Sequence, residues 1–351
     1  MQHFIVIAYL YCKNNLIMRK YFVFIFALML TGIAQAQDPH FSQFFASPLT
    51  LNPAFTGKFD GQWRLAANHR DQWPSIPKAY VTTSASVDFP IMKKMIPEND
   101  VFGIGISGVS DASANSALKL NYGSLSLSYH KALDENGYNT IGAGFQATYS
   151  SMVIDANKLT FEDELTQNGF ARGTTMDILT NGKQQSYFDL NAGVLYSGST
   201  DGENNYYLGV SMYHINRPKL TFQKNNWYLT SRLTVHGGAS LPISDVVGVN
   251  MSAIYQAQNK ASETLFGAAL ALNANSDNIN PTNVFIGAWM RINDAIIPYV
   301  GLEFLGLRIG ASYDINISSL KAATTSRGGS EISIIYIKRK QESKGIPCPR
   351  F

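Results

Sequence analysis

Few residues in this chain have types and spacing that suit catalysis. The most suggestive base and nucleophile are His236 and Ser240, which flank a pair of glycines. They lie four positions apart in an alternating segment, so a strand would place both side chains on one face, about 13 Å apart. Attack by serine needs a hydrogen bond of roughly 3 Å to its base. The spacing therefore favours a polar histidine on a strand over a hydrolase, and a barrel phospholipase is the enzymatic alternative.

Binding motifs are equally weak. Gly103, Gly105 and Gly108 match the dinucleotide pattern GxGxxG, but they fall inside an alternating segment with no helix after them. This placement favours glycines that face the lumen of a barrel over a dinucleotide site. His40, His69, His130 and His214 lack the spacing of metal ligands. The acidic run Glu162-Asp163-Glu164 lacks the spacing of an EF-hand loop. We therefore expect no catalytic residues, no cofactor and no metal.

The first residues read as an export signal. A basic start at Met18-Arg19-Lys20 precedes an apolar stretch, which ends at the small-residue site Ala34-Gln35-Ala36. We predict a signal peptide over residues 1–36, with Met18 as the true start or, alternatively, one long signal. Removal of this signal peptide removes three basic residues and no acidic residue. The mature chain is then nearly neutral, so nucleic acid is not an expected partner. The removal also leaves Cys348 as the single cysteine, which excludes an intramolecular disulfide.

Composition and periodicity together predict a membrane β-barrel. Charged residues make up 15% of the chain, against roughly 25% in soluble domains. No apolar run after residue 36 is long enough for a spanning helix. Alternation is instead the dominant pattern: between Leu305 and Ile317 every odd position is apolar and every even one is small or polar. Such a segment has one lipid-compatible face and one polar face, as strands of a transmembrane barrel do.

We count 14 alternating segments and predict an all-β, antiparallel transmembrane barrel over residues 62–338. An even count places both barrel termini on one side, which is the periplasm in outer-membrane barrels, and the longest connections then fall on the opposite side. The short basic tail, residues 339–351, follows the last segment. The segments lie near residues 62–70, 79–88, 101–110, 117–130, 139–150, 186–197, 204–215, 230–241, 246–257, 263–273, 284–292, 295–303, 305–315 and 330–338.

The region between the signal peptide and the first strand, residues 37–61, fits neither a helix nor a strand. Ser47-Pro48 and Asn52-Pro53 disfavour a continuous helix. Irregular backbone cannot face lipid, so we expect this region to plug the lumen or dock at the periplasmic rim. Deleting 38–57 should then open the lumen. The predicted interaction and plug residues are Asp38, His40, Phe41, Gln43, Phe44, Asn52, Pro53, Phe55, Gly57, Arg70 and Trp73.

Four blocks of the chain have a distinctive sequence. One runs from Gln37 to Gly57, and a second contains Asn68-His69-Arg70-Asp71-Gln72-Trp73-Pro74. A C-terminal block includes Arg308-Ile309-Gly310-Ala311-Ser312-Tyr313-Asp314-Ile315, and the last four residues are Cys348-Pro349-Arg350-Phe351. These blocks occur in order over nearly the whole mature chain, and together they resemble the PorP/SprF family of the Bacteroidetes type IX secretion and gliding machinery.

The resemblance implies a non-enzymatic outer-membrane barrel that supports secretion or surface anchoring of proteins with C-terminal sorting domains. Its implied partners are outer-membrane lipid, a secreted adhesin or other sorting-domain cargo, periplasmic components of the apparatus and a peptidoglycan-binding adaptor. The alternative is a diffusion channel or hydrophobic-compound transporter of FadL-like type. Conductance of the purified protein in bilayers distinguishes the two.

Overall fold

A closed barrel of 14 antiparallel strands forms the body of the protein. The computed structural model describes residues 38–76, 80–171, 183–222, 225–275 and 282–339. The barrel and the residues from Pro39 onward form one compact unit, whereas Asp38 belongs to the unit that precedes it. The predicted signal peptide and most of the basic tail lie outside the described residues.

Each barrel strand pairs with its neighbours in sequence, and the first pairs with the last. Register is continuous at the closing seam, where Trp63 lies opposite Lys338 and Arg70 lies opposite Glu331. The strands are β1 (Trp63–Gln72), β2 (Tyr80–Ile91), β3 (Val101–Ser113), β4 (Leu118–Ala132), β5 (Thr140–Ile154), β6 (Lys183–Gly198), β7 (Asn205–Tyr213), β8 (Arg232–Ser244), β9 (Val247–Gln258), β10 (Ala261–Asn275), β11 (Thr282–Arg291), β12 (Ala295–Phe304), β13 (Leu307–Asn316) and β14 (Arg327–Lys338).

The alternation read from the sequence is the inside–outside pattern of this barrel. On β5, Gly142, Gly144 and Gln146 are buried. Ile141 and Phe145 face outward, with 45% and 68% of their surface exposed. This reverses the pattern of a soluble domain, because lipid rather than a core covers the apolar face. The predicted fold class and strand number are confirmed.

Two local predictions differ from the structure. The predicted segments 295–303 and 305–315 leave only Phe304 between them, whereas the turn lies at Leu305 and Gly306, whose φ angles are +50° and +79°. Two consecutive positive φ angles match the twist of a two-residue hairpin, so β13 begins at Leu307. In the GxGxxG pattern, Gly103 and Gly105 face inward as expected, whereas the parity of β3 places Gly108 on the outer face.

Short elements outside the barrel wall lie before β1 and in the long connections. Before β1 come the 3-10 turn Phe44–Ala46, the helical turn Pro48–Leu51 and the 3-10 turn Pro53–Phe55. The connection from β5 to β6 holds the 3-10 turns Ala156–Lys158 and Glu162–Glu164 and pairs Leu165–Thr166 with Gly169–Phe170. Lys219–Phe222 pairs with Asn225–Tyr228 between β7 and β8, and a helical turn, Lys321–Thr324, precedes β14. Among the described residues, no helix is long and apolar enough to cross a membrane.

Candidate functional site

The segment of residues 39–57, called here the lumen segment, lies inside the barrel. We call the end where β1 begins and β14 ends the terminal end, and the opposite one the distal end. His40 contacts Glu263, near the distal end of β10. Gly57 donates its backbone N–H to Asp88, near the terminal end of β2. The lumen segment therefore follows the barrel axis from the distal end to the terminal end before the chain turns back into β1.

Its two prolines explain why the lumen segment is neither a helix nor a strand. Pro48 and Pro53 each occupy the first position of a short helical turn, where proline is well tolerated because the missing N–H has no partner there. The side chain of Asn52 caps the second turn by accepting a hydrogen bond of 2.8 Å from the N–H of Ala54. The result is a compact chain that satisfies much of its own backbone without a sheet.

Titratable side chains, most of them charged, crowd the distal half of the lumen. We call His40, Arg70, Glu263, Arg291, Asp314 and Glu331 the ionic cluster. Asp314 on β13 lies 2.8 Å from Arg70 on β1 and 2.9 Å from Arg291 on β11. Glu263 lies 3.2 Å from Arg291 and 3.1 Å from His40. Removing one partner from such buried pairs is costly because it leaves the other charge uncompensated.

The ionic cluster binds the lumen segment through its backbone as well as its side chains. The N–H groups of Ser42 and Gln43 donate to the Glu331 carboxylate at 2.7 and 2.9 Å. The Ser42 hydroxyl donates to Asp314 at 2.8 Å, and Arg70 donates to the carbonyl of His40 at 3.0 Å. Bonds to charged groups are the stronger kind. They fix this part of the lumen segment to β1 and β14, the strands of the closing seam, and to the neighbouring β13.

Both the nitrogen and the oxygen of the Gln43 side-chain amide have hydrogen-bond partners. Its Nε2 donates to the hydroxyl of Ser312 and to the carbonyl of Glu331, both at 3.0 Å. Its Oε1 accepts from the hydroxyl of Ser333 at 2.6 Å. This buried glutamine therefore fits one position on the inner wall.

Aromatic packing holds the middle of the lumen segment. The ring of Phe45 lies 4.9 Å from that of Trp289 and 5.5 Å from that of Tyr299. Phe55 packs against Tyr207 and His236 at ring distances of 5.6 and 5.2 Å. Such edge and tilted contacts add to the gain from burying the rings.

Glycines on the inner wall let the lumen segment approach the other side of the barrel. A Cβ added at Gly144 would meet the backbone of Pro53 and Ala54, and one at Gly103 would meet the carbonyl of Thr56. Gly193 and Gly209 leave room for the side chain of Asn52. Asn52 uses that room to donate to the carbonyl of Val194 at 3.1 Å and to contact His236 Nε2 at 3.0 Å.

A buried ion pair fixes the point where the lumen segment leaves the terminal end. The Arg64 guanidinium donates to both Asp88 carboxylate oxygens, at 3.0 and 2.8 Å, and to the carbonyl of Phe55 at 2.9 Å. Asp88 also accepts the N–H of Gly57 at 2.7 Å. Gly57 has φ +69°, a left-handed conformation that favours glycine.

Most of the predicted interaction residues meet in this lumen. His40, Phe41, Gln43, Phe44, Asn52, Pro53, Phe55 and Gly57 belong to the lumen segment, and Arg70 contacts it. Arg70 pairs with Asp314 rather than with its neighbour Asp71, because adjacent strand residues point to opposite faces. Trp73 lies beyond β1 and meets Tyr80 edge to face, with ring centroids 5.4 Å apart. Asp38 belongs to the preceding unit.

The prediction missed the strand residues that hold the lumen segment, among them Arg64, Asp88, Glu263, Arg291, Asp314 and Glu331. A signal for them exists: each is a charged residue inside an alternating segment, and an ionised side chain inside a barrel needs a partner.

His236, four positions before Ser240 on β8, is buried in the lumen and contacts Asn52 of the lumen segment at 3.0 Å. Across the part of the chain that the structure describes, no group of His, Cys, Asp and Glu side chains is arranged to hold a metal ion.

Comparison with known proteins relates the chain to one family. The family described as type IX secretion system membrane protein PorP/SprF matches residues 33–336. No curated protein matches the chain.

Solved structures with a similar fold are membrane barrels. The Ralstonia pickettii toluene transporter TbuX is 11% identical, with a TM-score of 0.48 over 84% of this chain and 94% of that one. A Pseudomonas aeruginosa FadL homologue is 10% identical, with a TM-score of 0.44 over 83% and 94%. At these identities the likeness concerns the β-barrel fold alone.

Proposed function

The chain belongs to the PorP/SprF family of type IX secretion system membrane proteins, and we propose that it is a plugged, non-enzymatic barrel that serves as an interaction platform for secretion. In this proposal it lies in the outer membrane with both barrel termini in the periplasm. It supports the secretion or surface anchoring of proteins with C-terminal sorting domains, which include adhesins. At the terminal end it contacts periplasmic parts of the apparatus, including a peptidoglycan-binding adaptor.

The observation that supports the proposal is the way the lumen segment is held. Ser42 and Gln43 bind Glu331 and Asp314, and Gly57 binds Asp88, so charged groups on the wall fix both halves of the segment. A diffusion channel needs an open path through the lumen. Moving the lumen segment out of that path would break several buried charge-assisted hydrogen bonds at once. Such bonds are worth about 1.5–3 kcal/mol each. The lumen segment therefore favours a role in binding over steady passage of solutes.

The proposed orientation gives the two ends of the barrel different partners. The terminal end, with β1 and β14 starting and ending there, would face the periplasmic components. The distal end, with the long connections and the ionic cluster, would face the cell surface and the cargo. His40 would then lie close to the outer face, since it contacts Glu263 near the distal end.

Deletion of residues 39–57 tests the proposal. The mature protein and the deletion variant are compared in planar lipid bilayers, and sorting-domain proteins are measured on cells and in the medium. We expect low conductance from the intact barrel, a large increase on deletion, and loss of cargo from the surface. A matched control deletes residues 165–170, a loop hairpin outside the lumen, and should keep conductance low.

Two outcomes contradict the proposal. Steady, solute-selective conductance of the intact barrel would favour the alternative of a diffusion channel or hydrophobic-compound transporter. Normal cargo secretion by cells that lack this chain would remove the secretion role. Heat-dependent migration on gels shows whether the deletion variant still forms a barrel, so a folding failure is recognised separately.

A further inference from the structure

A cavity of about 300 Å³ lies between the lumen segment and the wall formed mainly by β7 to β13. Phe45, Leu51 and Phe55 of the lumen segment line one side. Ser244 and Asp245 line its edge next to the short β8–β9 turn, at the terminal end of the barrel. The cavity therefore faces that end and is backed by the lumen segment.

The cavity is apolar at its deep end and polar at its mouth. Trp289 and Tyr299 lie deep in the barrel, where their rings pack on Phe45, and the indole N–H of Trp289 is already bonded to Ser252 at 3.0 Å. Residues nearer the terminal end are Asn205, Asn273, Asn283, Glu303 and Arg308. A pocket with an apolar floor and a few polar groups at one side is the usual form of a small-molecule site.

The charged groups around the cavity differ in what they already bind. Arg308 donates twice to Glu303 and stacks over the ring of Phe285 at 4.5 Å. Arg64 is engaged by Asp88. In contrast, Glu203 and Asp245 at the mouth are exposed carboxylates. An anionic ligand would meet arginines that are already neutralised and carboxylates that repel it.

A buried acceptor indicates the polar chemistry of the ligand. Asn205 is only 5% exposed, and among the described residues its Oδ1 has no hydrogen-bond partner. A buried polar atom without a partner costs free energy, and a hydrogen-bond donor in the cavity recovers that cost once the Asn205 side chain turns its Oδ1 toward it. Hydroxyl and ammonium groups are such donors, whereas a carboxylate is not.

We propose that this cavity is a binding site for a small amphipathic molecule with an apolar body of about two rings and a hydroxyl or ammonium head. The apolar body packs against Phe45, Trp289 and Tyr299, and the head bonds to Asn205 near the exposed carboxylates. The size follows from the volume, since a cavity of about 150 Å³ accommodates one benzene. A ligand can bind in this cavity without crossing the barrel, because the lumen segment forms the inner wall of the cavity.

Three naphthalene probes with the same ring system and different heads test the proposal. The mature protein in lipid nanodiscs is titrated by calorimetry with 1-naphthylmethylamine, 1-naphthylmethanol and the carboxylate 1-naphthaleneacetate, with empty nanodiscs as the reference. We expect saturable binding of one amine or alcohol per barrel and affinity for the acetate at least about tenfold lower, which corresponds to 1.4 kcal/mol.

Matched variants locate the site. Ala271 faces the cavity, whereas Ala268 on the same strand faces outward. Ala271→Trp should fill the cavity and reduce amine affinity by about tenfold or more, and Ala268→Trp should leave it unchanged. Asn205→Ala should weaken the alcohol by about fivefold, since it removes one hydrogen bond.

The proposal is wrong if neither amine nor alcohol binds saturably above empty nanodiscs, or if the acetate binds as tightly as they do. Unchanged affinity in a folded Ala271→Trp barrel would also overturn it. If Ala271→Trp does not fold, the Asn205→Ala variant tests the site instead. Unchanged affinity of that variant for 1-naphthylmethanol then overturns the proposal. These results are independent of cargo secretion, so failure here leaves the proposed function in place.

Discussion

The two halves of the lumen segment are held by different forces. From His40 to Phe45, charged groups on β1, β13 and β14 bind the backbone and side chains. From Asn52 to Gly57, the chain lies close against glycines of β3, β5, β6 and β7, and one ion pair fixes the exit. The distal half depends on compensated charge and the terminal half on close packing. Substitutions should therefore affect the two halves through different mechanisms and to different degrees.

The largest effect is expected where charge compensation is removed. Arg70→Ala takes away a partner of Asp314 and the donor to the carbonyl of His40. Loss of one partner from a buried ion pair costs about 3–5 kcal/mol. Urea unfolding in lipid vesicles, followed by tryptophan fluorescence, measures this loss. The neighbouring Asp71→Ala faces the outer side and should change the free energy of unfolding by less than about 0.5 kcal/mol; equal losses would contradict the comparison.

A smaller effect is expected where packing is tight. Gly144→Val would place side-chain atoms where the backbone of Pro53 and Ala54 lies. Overpacking of this kind costs about 1–3 kcal/mol, and it should displace the terminal half and raise conductance in bilayers. Gly123→Val is the matched control, because a Cβ at Gly123 meets nothing within 4 Å. If both variants behave alike, close approach of the glycines does not hold the segment.

The smallest effect is expected from a neutral hydrogen-bonding side chain. Asn52→Ala removes the cap on Ala54 and the bond to the carbonyl of Val194. Loss of a cap costs about 1 kcal/mol, with a further contribution from the wall contact. The control is Thr50→Ala, whose hydroxyl bonds only within the segment, to Ser47, among the described residues. The same urea unfolding measures both variants, and a larger loss for Thr50→Ala would show that contacts with the wall matter less than local turns.

Much of the barrel could be read from the sequence because its signal is local. In a strand such as Leu307 to Asn316, each residue reports its own face through its polarity. Turn positions were less certain, because Leu305 and Gly306 continue the same alternation yet form the turn. The irregular character of the lumen segment was also readable, since Pro48 and Pro53 act on the residues beside them.

By itself, the sequence determined that this chain forms an antiparallel barrel of 14 strands and that an aromatic, proline-containing segment precedes it. Only the tertiary structure decided the direction of that segment through the lumen and the partners of its charged anchors. Arg70 and Asp314 are 244 positions apart, and no periodicity reports which two charges meet. Barrel closure brings them together, because pairing of β1 with β14 places both beside the same stretch of the lumen segment.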